Sequence, residues 1–298
     1  MLPLTLEEAE MLVAKQVKTA ARVAAAVIVA AACGRAEASS AEKTAETVAA
    51  PPRVITVVAR DFAFQAPDRV PAGMATIQLQ NRGQALHHLS LARLDEGKTL
   101  DDVYAALRAG GPPPAWIHEM GGPNAPDPGS DSNATLFLAP GNYALLCWVD
   151  MPDKVPHVMK GMAKMLTVTP APVPAAATTP SGDITMRLND YSFTLSTPIT
   201  RGKHTIRVEN LAAQSHEVEL IKLAPGKTAN DLMAWMQTMQ GPPPASAIGG
   251  IAGMARGEVQ AFTHDFTPGT YVLICFIPDA RDGKPHFMHG MMQTITVS

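Results

Sequence analysis

From about residue 54 onward, apolar and polar residues alternate in short runs, each closed by proline, glycine or asparagine. The runs VITVVA (54–59), TIQLQ (76–80), ATLFL (134–138), YALLCWV (143–149) and MLTV (165–168) have the period of two and the β-branched content of strands. The same succession returns as ITMRL, TIRVEN, HEVELI, VQAFTH, YVLICFI and TITV. One stretch in each half has helical spacing instead. Leu100, Val103, Tyr104 and Leu107 follow the cap residue Thr99, and Leu232, Trp235, Met236 and Met239 follow Thr228. An aspartate three residues after each threonine (Asp102, Asp231) completes a capping box.

The two halves are copies. Gly97-Lys98-Thr99 returns as Gly226-Lys227-Thr228, and GPPPA at 111–115 returns at 241–245. Pro140-Gly141-Asn142-Tyr143 matches Pro268-Gly269-Thr270-Tyr271, and Pro156-His157 matches Pro285-His286. The offset holds between 128 and 130 residues, a period of duplicated domains rather than of a solenoid. A Pro/Ala/Thr-rich segment over 170–182 separates them as a semi-rigid linker. The expected organisation is therefore a domain over 53–169 and a second over 183–298, both mainly β sandwiches with one inserted helix.

Ahead of the repeats lies a different kind of sequence. Lys15, Lys18 and Arg22 precede a short apolar run over 23–32, which ends in small residues at Cys33. That is the plan of a secretory signal over residues 1–33, with a true start at Met11, since the preceding stretch puts acid ahead of the basic region. Ala31-Ala32-Cys33-Gly34 is similar to a bacterial lipoprotein cleavage box, which makes Cys33 the candidate lipidation site and membrane anchor. A plain signal peptide with a stray cysteine, or a membrane-anchored leader, is the alternative. Residues 34–52 read as a flexible tether. An exported protein on the outer face of a membrane, periplasmic in a diderm cell, is the expectation.

Composition narrows the chemistry. A net charge of −3 and the lack of basic runs in the repeats exclude a nucleic-acid partner. Only three cysteines occur, one in the leader and one per repeat, too few for a disulfide scaffold. A Cys147–Cys275 bridge would have to link two separate loops across the repeats, a demanding geometry.

The two remaining thiols each sit in a constellation with metal-ligand chemistry. In the second repeat His216 opens a strand, Cys275 ends another, and His286 and Met291 follow in one loop. The first repeat supplies His87, Cys147, His157 and Met162 in the same order. Two imidazoles, a thiolate and a weak axial thioether form the donor set of a type 1 copper site. His87 rather than His88 is the expected ligand, because alternation aligns His87, Leu89 and Leu91 with His216, Val218 and Leu220. His88 then aligns with Glu217 on the outward face. Met159, Met165, Met288 and Met292 crowd the same loops, so ordinary packing competes for the axial roles. His289 reads as exposed, and His118, His204 and His264 as surface or structural residues.

The runs CWVDMPDKVPHVMKGM and CFIPDARDGKPHFMHGM resemble the ligand loops of cupredoxins, the type 1 domain of copper nitrite reductases above all. NRGQALHH and NLAAQSHE are similar to that family's upstream histidine segment. The resemblance spans roughly 53–298 and implies two tandem cupredoxin-like Greek-key β-sandwiches with one type 1 copper each. It implies electron transfer with a redox partner protein as the default function. A Cu(I) storage or delivery protein with a copper donor or acceptor, and a metal-free binding module, remain open beside it. Copper oxidases and nitrite reductases flank the ligand cysteine with histidine. Here Leu146 and Trp148 flank Cys147, Ile274 and Phe276 flank Cys275, and no His-x-His pair occurs, so catalysis is not expected.

Overall fold

The computed structural model describes residues 51–171 and 178–298. The expected signal, Cys33, all but the last two residues of the tether and the centre of the linker lie outside them. Residues 50–298 form one compact unit.

The first repeat contributes nine strands: β1 (Arg53–Arg60), β2 (Ala63–Gln65), β3 (Arg69–Pro71), β4 (Gly73–Asn81), β5 (Ser90–Leu94), β6 (Ile117–Gly121), β7 (Asp131–Leu138), β8 (Gly141–Leu146) and β9 (Ala163–Thr169). The second contributes β10 (Ile184–Asn189), β11 (Ser192–Leu195), β12 (Gly202–Asn210), β13 (His216–Leu223), β14 (Ala245–Met254), β15 (Val259–Phe266), β16 (Gly269–Ile274) and β17 (Met292–Val297). The helices are α1 (Leu100–Ala109) and α2 (Ala229–Thr238), and both capping boxes form around Thr99–Asp102 and Thr228–Asp231. The mainly β sandwich with one helix per repeat is thus the observed architecture.

The strands build two sheets, ordered β11-β10-β12-β15-β7-β4-β1-β2 and β17-β16-β13-β14-β6-β5-β8-β9-β3. Each repeat places part of both sheets face to face around its own apolar core. Alternation along β4 and β7 sends Ile77, Leu79, Leu136 and Leu138 into the first core, with Cys147 and Met162 at one end. Phe262, Phe266, Tyr271, Cys275 and Met291 share the second. The helices cover the far face of the second sheet: Val103 packs with Leu146 and Val158, and Leu232 with Val272 and Ile274. That face is why β8 and β16 are buried on both sides and lose the alternation of a half-exposed strand.

Both sheets run unbroken from one repeat into the other, which period-two patterning had not foretold. β7 pairs with β15 at Thr135↔Ala261, and β6 with β14 at Met120↔Met254. Beyond β6, Pro123 bridges Ile251, its own counterpart at an offset of 128 residues, so the repeats meet about a pseudo-two-fold axis. Backbone approach there is close. Gly122 and Gly250, at φ 128° and 123°, leave no room for a Cβ, which would run into the carbonyl oxygens of Leu89 and Val218.

Gly122→Ala and Gly250→Ala are each expected to destabilise the protein by roughly 2–4 kcal/mol, combining a left-handed backbone with overpacking. Urea denaturation of the two variants measures this.

Candidate metal centres

Each centre is assembled from three places at one end of a sandwich. The first is the loop into the upstream histidine. Asn81 ends β4 and turns back on that loop: its Nδ2 donates to the carbonyls of Ala85 and Pro126, and its Oδ1 accepts from the Gly83 amide. Asn210 does the same with Gln214, Met254 and Ala212. These buried asparagines fix the approach to His87 and His216.

The second place is the strand end before the cysteine. Tyr143 and Tyr271 donate their hydroxyls to the carbonyls of Ala139 and Thr267, pinning the start of β8 and β16. Cys147 and Cys275 stand one residue beyond those strands, which are shorter than the runs over 143–149 and 271–277 predict. The ligand loop folds back on the cysteine backbone. Cys147 N–H donates to Met162 O (3.3 Å) and Val158 N–H to Cys147 O (2.7 Å), while His157 N–H reaches Val149 O (2.9 Å). The second repeat repeats all three through Met291, Phe287 and His286. A single 3-10 turn, His157–Lys160 or His286–His289, carries the downstream histidine and ends at a left-handed glycine, Gly161 or Gly290.

The third place is a two-residue hairpin turn, Asp61-Phe62 between β1 and β2, and Asp190-Tyr191 between β10 and β11. Phe62 and Tyr191 take positive φ, 63° and 101°, a strained conformation for an aromatic residue. Their rings pack edge-on against His157 (5.3 Å) and His286 (5.4 Å).

The ligand atoms converge. His87, Cys147 and His157 form one buried group, and His216, Cys275 and His286 another, with the donor atoms of each within 4.8 Å of one another. Cys147 Sγ lies 3.5 Å from His157 Nδ1, and Cys275 Sγ lies 3.4 Å from His286 Nδ1 and 3.9 Å from His216 Nδ1. Every imidazole thus presents Nδ1. Met162 and Met291 are fully buried in the same cores, their backbones bonded to the cysteines. Both cysteines are free thiols.

Asp61 and Asp190 supply the orientation. His87 Nε2 sits 3.0 Å from Asp61 Oδ1, and His216 Nε2 sits 2.7 Å from Asp190 Oδ1. A proton held on Nε2 by a carboxylate leaves the Nδ1 lone pair free, the usual way a ligating histidine is aimed. In the first centre the Nδ1 atoms of His87 and His157 lie 3.0 Å apart, and His157 Nε2 lies 3.2 Å from the Met151 thioether. In the second centre His286 Nε2 is buried without a hydrogen bond, 3.8 Å from Asp279 Oδ2. The donor set and its convergence fit a copper ion in each repeat.

Burial sets the protonation. It lowers all four site imidazoles, His286 to about 4, so they are neutral and ready to ligate near pH 7. It pushes the Cys147 thiol up to about 12 and Cys275 likewise upward, partly opposed by N–H groups of His88 and Val149, and of Glu217 and Ile277, aimed at the sulfurs. Metal binding must therefore displace a thiol proton at each site.

Two sequence expectations need correction. His88 and the aligned Glu217 do not face solvent: both are buried, His88 against Asn124 and the Trp148 amide of its own repeat and Glu217 against Asn124 of the other. His289 is half-buried, 3.1 Å from Asp282 and tilted over Tyr191. His264 is also partly buried, against Phe266, whereas His118 and His204 pair with Asp95 and Asp183 at the surface. Asp61, Phe62, Asp190 and Tyr191 were missed. Their signal was present as the repeated Asp-aromatic-x-Phe of DFAF and DYSF.

Fold and site together define a tandem cupredoxin-like protein with a copper-type ligand set in each repeat. No family model and no curated protein matches the chain. Among solved structures it is similar to a reduced auracyanin from the photosynthetic bacterium Roseiflexus castenholzii, 25% identical, covering 41% of this chain and 100% of that one at a TM-score of 0.28. It is also similar to a blue copper oxidase from Nitrosomonas europaea (16% identity, 83% and 86% covered, TM-score 0.26). A copper-containing nitrite reductase from Thermus scotoductus matches at 14% identity, 83% and 62% coverage and a TM-score of 0.24. The class rests on the chain's own fold and geometry rather than on these loose likenesses.

Two outcomes are expected. Asp61→Ala and Asp190→Ala should each weaken copper binding at their own site roughly 10–100-fold, read by competition with a chelator. The metal-free protein should lose stability as pH falls from 6.5 towards 4. His88, held near 4 by burial against 6.5 in the unfolded chain, stays neutral while the unfolded chain takes up protons. Its contribution, on the order of 3 kcal/mol, is complete above pH 6.5 and gone below about 4. Urea midpoints across that range, with His88→Gln flattening part of the fall, check it.

Proposed function

We propose that the chain is an exported electron-transfer protein carrying two type 1 copper centres, ligated by His87, Cys147, His157 and Met162, and by His216, Cys275, His286 and Met291. The observation that carries this reading is the pair of buried His–Cys–His groups whose Nδ1 and Sγ atoms face one another. Copper supplies a one-electron couple. The residues hold its ligands in a fixed, water-poor frame, so little has to move when the charge changes.

Burial favours the carrier over a storage or delivery protein. The ligand side chains of both sites are 0–1% exposed, so an ion could be handed to a partner only by opening the loops. An enzyme would need a further open metal centre joined to the cysteines. The residues flanking both are apolar, and among the described residues the one other His/Cys/Asp/Glu group is Asp279, Asp282 and His289. Both Asp279 oxygens already accept bonds, from Tyr191 and Gln214 and from Arg281.

Export and a lipid anchor at Cys33 belong to the same reading, with the partner a redox protein at the membrane's outer face. Support comes from the basic-then-apolar leader that ends at Cys33, while among the described residues no helix is long and apolar enough to cross a membrane.

Residues 51–298 with added Cu(II) are expected to show a strong visible charge-transfer band and two bound copper ions per chain. Cys147→Ser and Cys275→Ser should each remove one ion and part of the band, and the double variant all of it. A colourless protein that takes up only Cu(I) favours delivery, and one that binds no metal overturns the copper reading.

A further inference from the structure

A continuous hydrogen-bonded chain links the two candidate centres through the repeat boundary. Trp148, bonded covalently to Cys147, donates its N–H to His88 Nε2 at 2.8 Å. That fixes the His88 proton on Nδ1, which donates to Asn124 Oδ1 at 3.2 Å. Asn124 Nδ2 donates to Glu217 Oε2 at 3.2 Å. Glu217 Oε1 accepts the N–H of Phe276 at 2.9 Å, and Phe276 is bonded covalently to Cys275. No link requires an ambiguous assignment: the Trp148 amide sets the His88 tautomer, and the Ala125 amide, 3.0 Å from Asn124 Oδ1, sets the orientation of the Asn124 side chain.

Three features make this more than an interface staple. Its side chains are screened from water, with His88 at 8%, Asn124 at 2% and Glu217 at 6% exposure. Its ends are the amides next to the two cysteines rather than arbitrary backbone. Each end is also anchored by the residue after the upstream histidine, His87-His88 and His216-Glu217, so the bridge touches both ligand sets twice. Glu217 N–H lies 3.5 Å from Cys275 Sγ, and the His88 N–H is aimed at Cys147 Sγ. A polar chain of this kind polarises along its length, which strengthens each link in a low-dielectric interior.

We propose that the His88–Asn124–Glu217 bridge couples the two metal centres electronically, so that the chain shares electrons between its sites instead of holding two independent carriers. The proposal rests on the copper reading above. The step is a one-electron exchange: Cu(I) at one site becomes Cu(II) while Cu(II) at the other becomes Cu(I). No bond is made or broken, and no proton crosses, because every donor keeps its hydrogen. An outside one-electron donor loads one site and an outside one-electron acceptor empties the other.

The test is flash reduction of the two-copper protein, following both charge-transfer bands. The Cys147→Ser and Cys275→Ser proteins give the spectrum of each site alone. A relaxation whose rate does not depend on protein concentration, absent from both single-site proteins, is the expected sign of exchange within the chain. Asn124→Leu should slow it several-fold with both bands intact. Glu217→Gln, which keeps the volume and the Phe276 bond but sets two amide donors face to face, should also slow it and stands in if Asn124→Leu does not fold. Gln260→Leu is the control. Gln260 joins the same repeats through the Gly122 amide and the Met120 carbonyl, off the path between the thiols, and its loss should leave the rate unchanged. An unchanged rate in the bridge variants, an equal slowing in Gln260→Leu, or two bound coppers with no such phase overturns the coupling alone. Failure to bind copper overturns the reading beneath it.

Discussion

The positions of the cysteine, the downstream histidine and the methionine in each centre depend on the pair of backbone bonds that fold the loop onto its cysteine. Cys147 gives its N–H to Met162 and its carbonyl to Val158, extending the β8–β9 ladder past the last strand residue. With that ladder in register, His157 can only fall opposite Val149, and Met162 beside the cysteine. The second repeat keeps the clamp despite one extra residue in its loop, because the added length is taken up between Pro278 and Pro285, which still bridge each other as Asp150 and Pro156 do. Loop length can change while ligand geometry does not.

The same frame holds two different surroundings. In the first repeat His157 meets the Met151 thioether and the Phe62 ring. In the second, the matching positions hold Asp279 and Tyr191, and Asp279 is wrapped by Tyr191, Gln214 and Arg281, which hold its carboxyl far below the usual range. Around the downstream histidine, one centre has soft, uncharged groups and the other a carboxylate that remains ionised. A negative charge a few ångströms from a metal favours its more oxidised state, so the divergence bears on the redox balance of the two sites while their ligands stay alike.

Much of this was legible in the sequence, and the failures share one cause. Alternation along HEVELI separates His216 from Glu217 correctly, and pairing His87 with His216 through the duplication picks the histidine that joins the buried His–Cys–His group. Alternation says that a strand has two faces; it does not say what lies against the second. Alternation put Glu217 on an outward face, yet it and Glu219 are buried against the other repeat, Glu217 with its carboxyl raised to about 7 by that burial. β6 and β14 escaped notice for the complementary reason. IHEMG and ASAIGGIAGM are poor in β-branched residues, and their glycines serve the close crossing at the boundary rather than strand propensity. Asp61 and Asp190 sit in turns, where an acidic residue is ordinary, and only their recurrence beside an aromatic distinguishes them.

At the boundary, Pro123 meets Ile251 and Met120 meets Met254, each pair straddling one axis. This is the self-complementary contact that a symmetric homodimer of a single repeat would make. A homodimer, however, must place the same residue on both sides of its axis. Here Asn124, at the middle of the polar bridge, has Ala252 as its counterpart, and His88 has Glu217. Joining the two copies in one chain releases that constraint: a donor can face an acceptor where symmetry would oppose like with like. The asymmetric bridge is a property that only the fused form of this architecture can possess.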